Sequence, residues 1–210
     1  MVTIEENVDQ ALDRANADDD TIKTYAIQNV INWVDDQYRS FRWDFSRTET
    51  TVSLASGTSS ITLATGYWKL NTVKLKDGNG NYVPVEVIER EKFDRLSDPT
   101  TTGTPFVCAV LGSNLYFYYV PNEAFTVYYN YWATAGTLVL TDTVEFPDKV
   151  IEQVAYISAL SYDRLDTTIE EVKLKDMVSQ FRRNMKDDGS DGSQVEMDKN
   201  TYFPHPLNFY

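Results

Sequence analysis

Histidine and cysteine are almost missing: the chain has one of each, His205 and Cys108, in 210 residues. The only imidazole stands between Pro204 and Pro206 near the end, so a histidine-based triad or general base in the body of the chain is excluded. A single cysteine closes no disulfide within one chain, which fits maturation in a reducing compartment. Cys108 lies in an alternating apolar stretch and reads as a buried thiol rather than a nucleophile. Zinc ligands are too few for a structural site. Basic residues are also short, 19 against 32 acidic ones, for a formal net charge of −13. That balance disfavours long-range attraction to nucleic acid or to an anionic membrane. Arg39, Arg42 and Arg47 form the one basic cluster and read as a solvated helix end. No apolar run approaches the roughly 20 residues of a membrane helix. The chain opens on a helix-capping signal instead of a basic and then apolar leader. The expectation is a soluble protein made in the cytosol, without cofactor or metal.

What is present divides into helical and strand-like stretches. Thr3, Ile4, Glu5 and Glu6 spell a capping box, and Ile4, Val8, Leu12 and Ala15 follow at helical spacing. One of Asp18, Asp19 and Asp20 should cap a second helix, where a carboxylate suits the positive end of the dipole. Ile22, Ala26, Val30, Val34, Tyr38 and Phe41 run down one face of it, and Ile27, Ile31 and Trp33 widen the stripe. A stripe this broad packs against two neighbours.

Residues 46–132 are rich in β-branched and aromatic residues and broken by Gly, Pro and Asn. Trp43 and Phe45 already alternate, and Val52 and Leu54 continue the period. With a turn at residues 55–58, Ile61 and Leu63 predict a hairpin partner. Val73 and Leu75, then Asp77-Gly78-Asn79-Gly80-Asn81, then Val83, Val85 and Val87 predict a second hairpin. Pro84 cannot donate to a ladder, which predicts an edge or a bulge there. A short helix over residues 89–96 and a Thr-, Gly- and Pro-rich loop over 98–105 come next. Residues 115–120 are almost continuously apolar or aromatic, as in a strand covered on both faces. The strand at 125–132 carries Tyr128, Tyr129 and Tyr131, and residues 138–140 suggest one more short strand.

Phe146-Pro147 opens another helix, with Val150, Val154, Ile157, Ser161 and Leu165 on one face and Ala155, Ser158 and Ala159 on a small-residue surface. Residues 167–171 hold two overlapping capping boxes, after which Leu174, Val178, Phe181 and Met185 make a last amphipathic face. The short break predicts an antiparallel αα-hairpin. Beyond residue 187 the chain turns linker-like, then ends in Tyr202-Phe203-Pro204-His205-Pro206-Leu207-Asn208-Phe209-Tyr210. Disordered tails are typically poor in aromatics, so this segment reads as an arm that docks. The fold class expected is α+β: a four-helix bundle with an inserted antiparallel sheet or small β-sandwich and an extended C-terminal arm. Its divisions are residues 1–45, 46–145, 146–186 and 187–210.

No chemistry emerges from motif spacing. The Asp77 loop begins like an EF-hand, but its sixth position is Tyr82 and its twelfth Ile88, so the match fails. No phosphate-cradling Gly loop with Lys is present. Tyr116, Tyr118, Tyr119, Tyr128 and Tyr131 would suit sugar stacking if exposed, which leaves a β-sandwich carbohydrate- or protein-binding module as the alternative function.

The order of features resembles the head-to-tail adaptor (connector, head-completion or ring) proteins of tailed bacteriophages, the short-tailed type above all. The residues that carry the resemblance are Arg42-Trp43-Asp44-Phe45 at the end of the helical start and Thr51-Val52-Ser53-Leu54 leading to Ile61-Thr62-Leu63. Gly103-Thr104-Pro105 before the aromatic strands, Tyr129-Asn130-Tyr131-Trp132 and Phe146-Pro147 before Val150-Ile151-Glu152 complete it. The resemblance implies a structural virion protein in a homo-oligomeric ring, twelve copies, at the head-tail junction. It implies a portal protein as one partner and a tail or nozzle protein as the other, with DNA passing through the channel. Tyr202, Phe203, Pro204, His205, Pro206, Leu207, Phe209 and Tyr210 would be the portal-docking arm. Asp77, Asn79, Asn81, Asp98 and Thr101 would lie on loops that meet a tail-side neighbour.

Overall fold

The computed structural model describes residues 2–17, 19–96 and 101–187. Among the described residues five α-helices and seven strands follow in chain order: α1 (Ile4–Ala15), α2 (Asp20–Ser40), β1 (Arg47–Leu54), β2 (Ser60–Thr62), β3 (Tyr67–Lys76), β4 (Tyr82–Val87), α3 (Arg90–Phe93), β5 (Val107–Leu111), β6 (Asn114–Tyr118), β7 (Phe125–Ala133), α4 (Asp148–Tyr162) and α5 (Thr168–Asp187). The class is α+β. Two compact units divide the chain, one built from residues up to Phe45 and from Thr137 onward, the other from Ser46–Gly136.

In the helical unit the start of α1 shows how local sequence sets an element. Thr3 Oγ1 accepts from the Glu6 N–H at 3.2 Å, and Glu6 Oε2 accepts from the Thr3 N–H at 2.9 Å, which closes the capping box. The next free N–H groups, of Ile4 and Glu5, donate to the carbonyls of Asp142 and Leu140. The orphan donors of the first turn are therefore satisfied by one side chain and one returning segment. Residues 138–140 serve that cap as an irregular segment instead of forming a strand. At the far end Asn16 takes a left-handed φ of 52°, and its N–H donates to the carbonyls of Leu12 and Asp13. Asp19 is the cap of α2, its carboxylate accepting from the Thr21 N–H at 2.6 Å.

Helix α4 touches α1, α2 and α5. Its burial matches that central position: Val150, Ile151, Gln153, Val154, Ala155, Ile157, Ser158 and Ala159 are all buried. The Ser158 hydroxyl bonds back to the Val154 carbonyl at 2.9 Å, so a polar group sits in the core without an unmet bond. Leu165, expected on this face, is exposed. Trp43 and Phe45 do not continue a strand. Trp43 lies just before a 3₁₀ turn at Asp44–Ser46 and joins Phe41, Phe45, Phe146 and Phe181 in an aromatic cluster. Alternation of two aromatics mimicked a strand because both rings point into that cluster.

The capping boxes expected at α5 are replaced by another arrangement. Asp166 accepts from the Thr168 N–H at 3.0 Å, and the Thr167 hydroxyl bonds the Glu171 carboxylate at 2.6 Å. Glu170 is drawn into a junction of three helices: Gln153 Nε2 donates to it at 2.8 Å, Lys173 pairs with it at 2.6 Å and Arg14 at 3.4 Å. The bonds from Lys173, then Gln153, hold its carboxyl below the ordinary value.

In the β unit the strand order is β1-β7-β3-β4-β5-β6-β2. This sheet is mixed, which corrects the all-antiparallel expectation: β4 and β5 run parallel through Glu86↔Val107 and Val87↔Cys108. The intervening chain, residues 88–106, is long enough for the crossover that a parallel pair requires. The second expected hairpin is present, with Val73↔Val85 and Leu75↔Val83 in register. Pro84 sits opposite Lys74 inside the sheet, and the β5 ladder starts only beyond it, at Glu86.

The first expected hairpin does not form. Strand β1 pairs with β7 and β2 pairs with β6, at opposite ends of the strand order. The Gly57 N–H donates to the Pro121 carbonyl at 2.8 Å, which anchors the turn to a distant loop and sends the chain across. One core gathers residues of all seven strands, among them Leu54, Ile61, Leu75, Val85, Cys108, Phe117 and Tyr129, so the sheet rolls around a single interior. Residues 115–120 are covered on one face only: Leu115 and Phe117 are buried while Tyr116 and Tyr118 are half-exposed. The tight turn at Gly112-Ser113, with Gly112 at φ 62°, feeds that alternation.

Candidate assembly surfaces

The tip between β3 and β4 is a self-contained polar knot. Asp77 Oδ1 accepts from the backbone N–H of Asn79 at 2.9 Å and of Asn81 at 2.8 Å, and Asn81 Nδ2 donates to Asp77 Oδ2 at 3.0 Å. Gly80, at φ 89°, takes the left-handed position that the turn demands. Bonds from the Asn81 side chain first, then its backbone, hold the Asp77 carboxyl below the ordinary 3.8. Its bonded form is thus present at neutral pH and lost as pH falls through that lowered value. A carbon-13 titration of Asp77 should give a midpoint under 3.8, and a midpoint at or above it would contradict the knot. Asn79 and Asn81 are exposed and held in one geometry, as a contact loop requires.

Thr101 lies on another turn but is tied down, its carbonyl accepting from the Val120 N–H at 2.9 Å. Asp98 falls outside the described residues. So do Tyr202, Phe203, Pro204, His205, Pro206, Leu207, Phe209 and Tyr210. The structure therefore groups Asp77, Asn79 and Asn81 on one loop and places Thr101 on a separate one.

Further surfaces carry exposed apolar groups. Tyr162, Leu165, Ile169 and Val172 are exposed around the α4–α5 corner. Ile169 and Val172 are three apart on α5, hence on one face, which was legible as a second apolar pair beside Leu174 and Val178. On the β unit, Phe106 lies 5.2 Å from Tyr119 and 6.1 Å from Tyr118, and the two tyrosines stack at 4.9 Å. Phe106 is 46% exposed and Tyr82, which meets Tyr128 edge-on at 5.5 Å, is 56% exposed. Tyr131, one of the tyrosines considered for sugar stacking, is buried in the core.

Among the described residues no three His, Cys, Asp or Glu side chains gather as a metal would require. Two open depressions lie on the surface: one, beside Tyr25 and Tyr162, carries a single carboxylate, Asp20, and the other lies between residues 62–67 and Gly112-Ser113. Cys108 is fully buried in β5 opposite Phe117, and burial pushes its thiol up to about 12. The folded protein should therefore resist a thiol-disulfide reagent at pH 8 and react only on unfolding; rapid labelling of the native chain would contradict this burial. No described helix is long and apolar enough to cross a membrane.

Comparison with known proteins bears on what such surfaces are for. No curated protein matches the chain. The family model described as SU10 adaptor protein matches residues 3–197, which run through both units and include every described helix and strand. Matched over nearly its whole length, the chain belongs to the SU10 adaptor protein family of phage head-to-tail adaptors.

Proposed function

We propose that the chain is one subunit of a closed ring, of twelve copies, seated beneath the portal protein of a phage particle. The ring extends the DNA channel and joins head to tail. The observation that carries this reading is the adaptor-family match over residues 3–197. Helices α1, α2, α4 and α5 act as a four-helix bundle that builds the ring, residues 46–136 form the inserted β domain, and residues 187–210 form the arm that docks on the portal. The aromatic content of that arm supports its docking role, because Tyr202, Phe203, Phe209 and Tyr210 supply large apolar area at low entropic cost. Asp77, Asn79, Asn81, Asp98 and Thr101 meet the tail or nozzle protein. A net charge of −13 suits a channel wall that repels DNA phosphates, so that DNA slides without sequence-specific binding. The protein works in the virion, after assembly in the host cytoplasm, as a structural part and not as an enzyme.

Removing residues 190–210 tests the arm. The truncated protein should keep its thermal transition and lose portal affinity by about tenfold or more, as loss of a few buried aromatic anchors does. Portal binding equal to that of the full chain, measured by co-sedimentation, would overturn the arm assignment.

A further inference from the structure

One edge of the β unit, approached by β2 but not hydrogen-bonded to it, is left without backbone partners among the described residues in a way folded proteins usually avoid. Strand β1 ends the strand order and is eight residues long, pairing residue for residue with β7 from Arg47↔Trp132 to Leu54↔Phe125 without a bulge. Among the described residues, no backbone group of β1 bonds anything outside that ladder. The opposite edge, β2, is only three residues long. Long, flat, exposed edges template pairing with another chain and are normally blunted by shortness, proline, bulges or charge. Here β1 has no proline and no bulge, and its middle, Thr50-Thr51-Val52, favours strand. Its core-side row also runs out of cover. Thr48, Thr50, Val52 and Leu54 oppose Tyr131, Tyr129, Val127 and Phe125, all four buried, yet Thr48 is exposed and only Leu54 is itself buried.

We propose that this edge receives residues 194–201 of a neighbouring copy as an added strand, resting on the ring reading given above. A cyclic ring needs heterologous contacts, so two β1 edges cannot pair with each other across a two-fold axis. The β2 edge is too short to serve. Residues 193–203 contain neither glycine nor proline and are bounded by Gly192 and Pro204, which leaves room for a strand of β1's eight residues. Within it Val195 and Met197 alternate with Glu196 and Asp198, the period of a half-covered strand. The apolar row continues the core side of β1, and the acidic row lies on the exposed side with Thr51. The aromatic end from Tyr202 onward then remains free for the portal.

Paired cysteines test this in the full chain bound to its portal. Thr51→Cys is combined in turn with Glu196→Cys, Asp198→Cys and Asn200→Cys to cover three registers, while buried Cys108 stays silent. One combination should give disulfide-linked ladders between copies, about tenfold above either single variant, at the separation that opposed strand residues share. Amide exchange of residues 47–54 should also slow about tenfold or more on assembly, and not in a chain cut after residue 192. A ring with no ladder and unchanged exchange overturns the strand pairing and leaves the ring standing. Links confined within one chain overturn the neighbour assignment. Failure to form any ring overturns both.

Discussion

Replacing Trp43 by alanine should cost the helical unit about 3–5 kcal/mol, the range for deleting a buried large aromatic. Trp43 is fully buried and packs on Phe41 at 4.6 Å, Phe146 at 5.0 Å, and Phe45 and Phe181 at 5.5 Å each. Its rings come from the end of α2, the start of α4 and the later part of α5, so the cavity would open where three elements meet. The indole N–H also donates at 2.8 Å to the Gln37 carbonyl, which already accepts from the Phe41 N–H at the end of α2. Arg182 leans over Phe41 and Trp43, at 4.8 and 5.4 Å, with its guanidinium bonded to Gln37 Oε1 at 3.1 Å. Losing the indole would expose that half-buried cation's apolar bed as well. Thermal melting should fall by roughly 10 °C or more. Trp43→Phe keeps a ring and loses the hydrogen bond, so it should cost far less. A Trp43→Ala melt close to that of the native chain would show that the cluster does not hold the helices together.

The second large effect is expected from crowding α4. Ala155 is fully buried on the helix that touches α1, α2 and α5. Leucine there adds three heavy atoms where interior packing leaves no space, and overpacking of this kind costs about 1–3 kcal/mol. Ala155→Gly would fill nothing extra yet still lose about 1 kcal/mol of helix propensity. Destabilisation in both directions marks a site shaped for close helix approach. Urea unfolding of the two variants checks this, and an Ala155→Leu chain as stable as the native one would place the residue beside a void.

Features set by near neighbours in sequence were readable from it. The Thr3–Glu6 capping box, the Asp19 cap, the α2 stripe and the Asp77–Asn81 turn all depend on residues within a few positions of one another. Partner choice in the sheet was not readable. Val52 and Leu54 alternate in the same way whether they pair with Ile61 or with Val127 and Phe125, and only the distant Gly57–Pro121 bond decides. The parallel β4–β5 pair was hidden for the same reason. Capping at α5 failed as a prediction because Glu170 had stronger partners on other helices, Gln153 and Arg14, that no local window contains. Of the contact surfaces, the Asp77 loop was visible as turn chemistry. The Ile169–Val172 pair was present in the periodicity but overshadowed by the stronger Leu174–Val178 face.

The most direct test of the adaptor reading is electron cryo-microscopy of the purified protein mixed with its portal. A closed ring of about a dozen copies stacked coaxially on the portal, of the kind a cyclic heterologous interface generates, is the result expected. A protein that stays monomeric and never co-purifies with portal would contradict it.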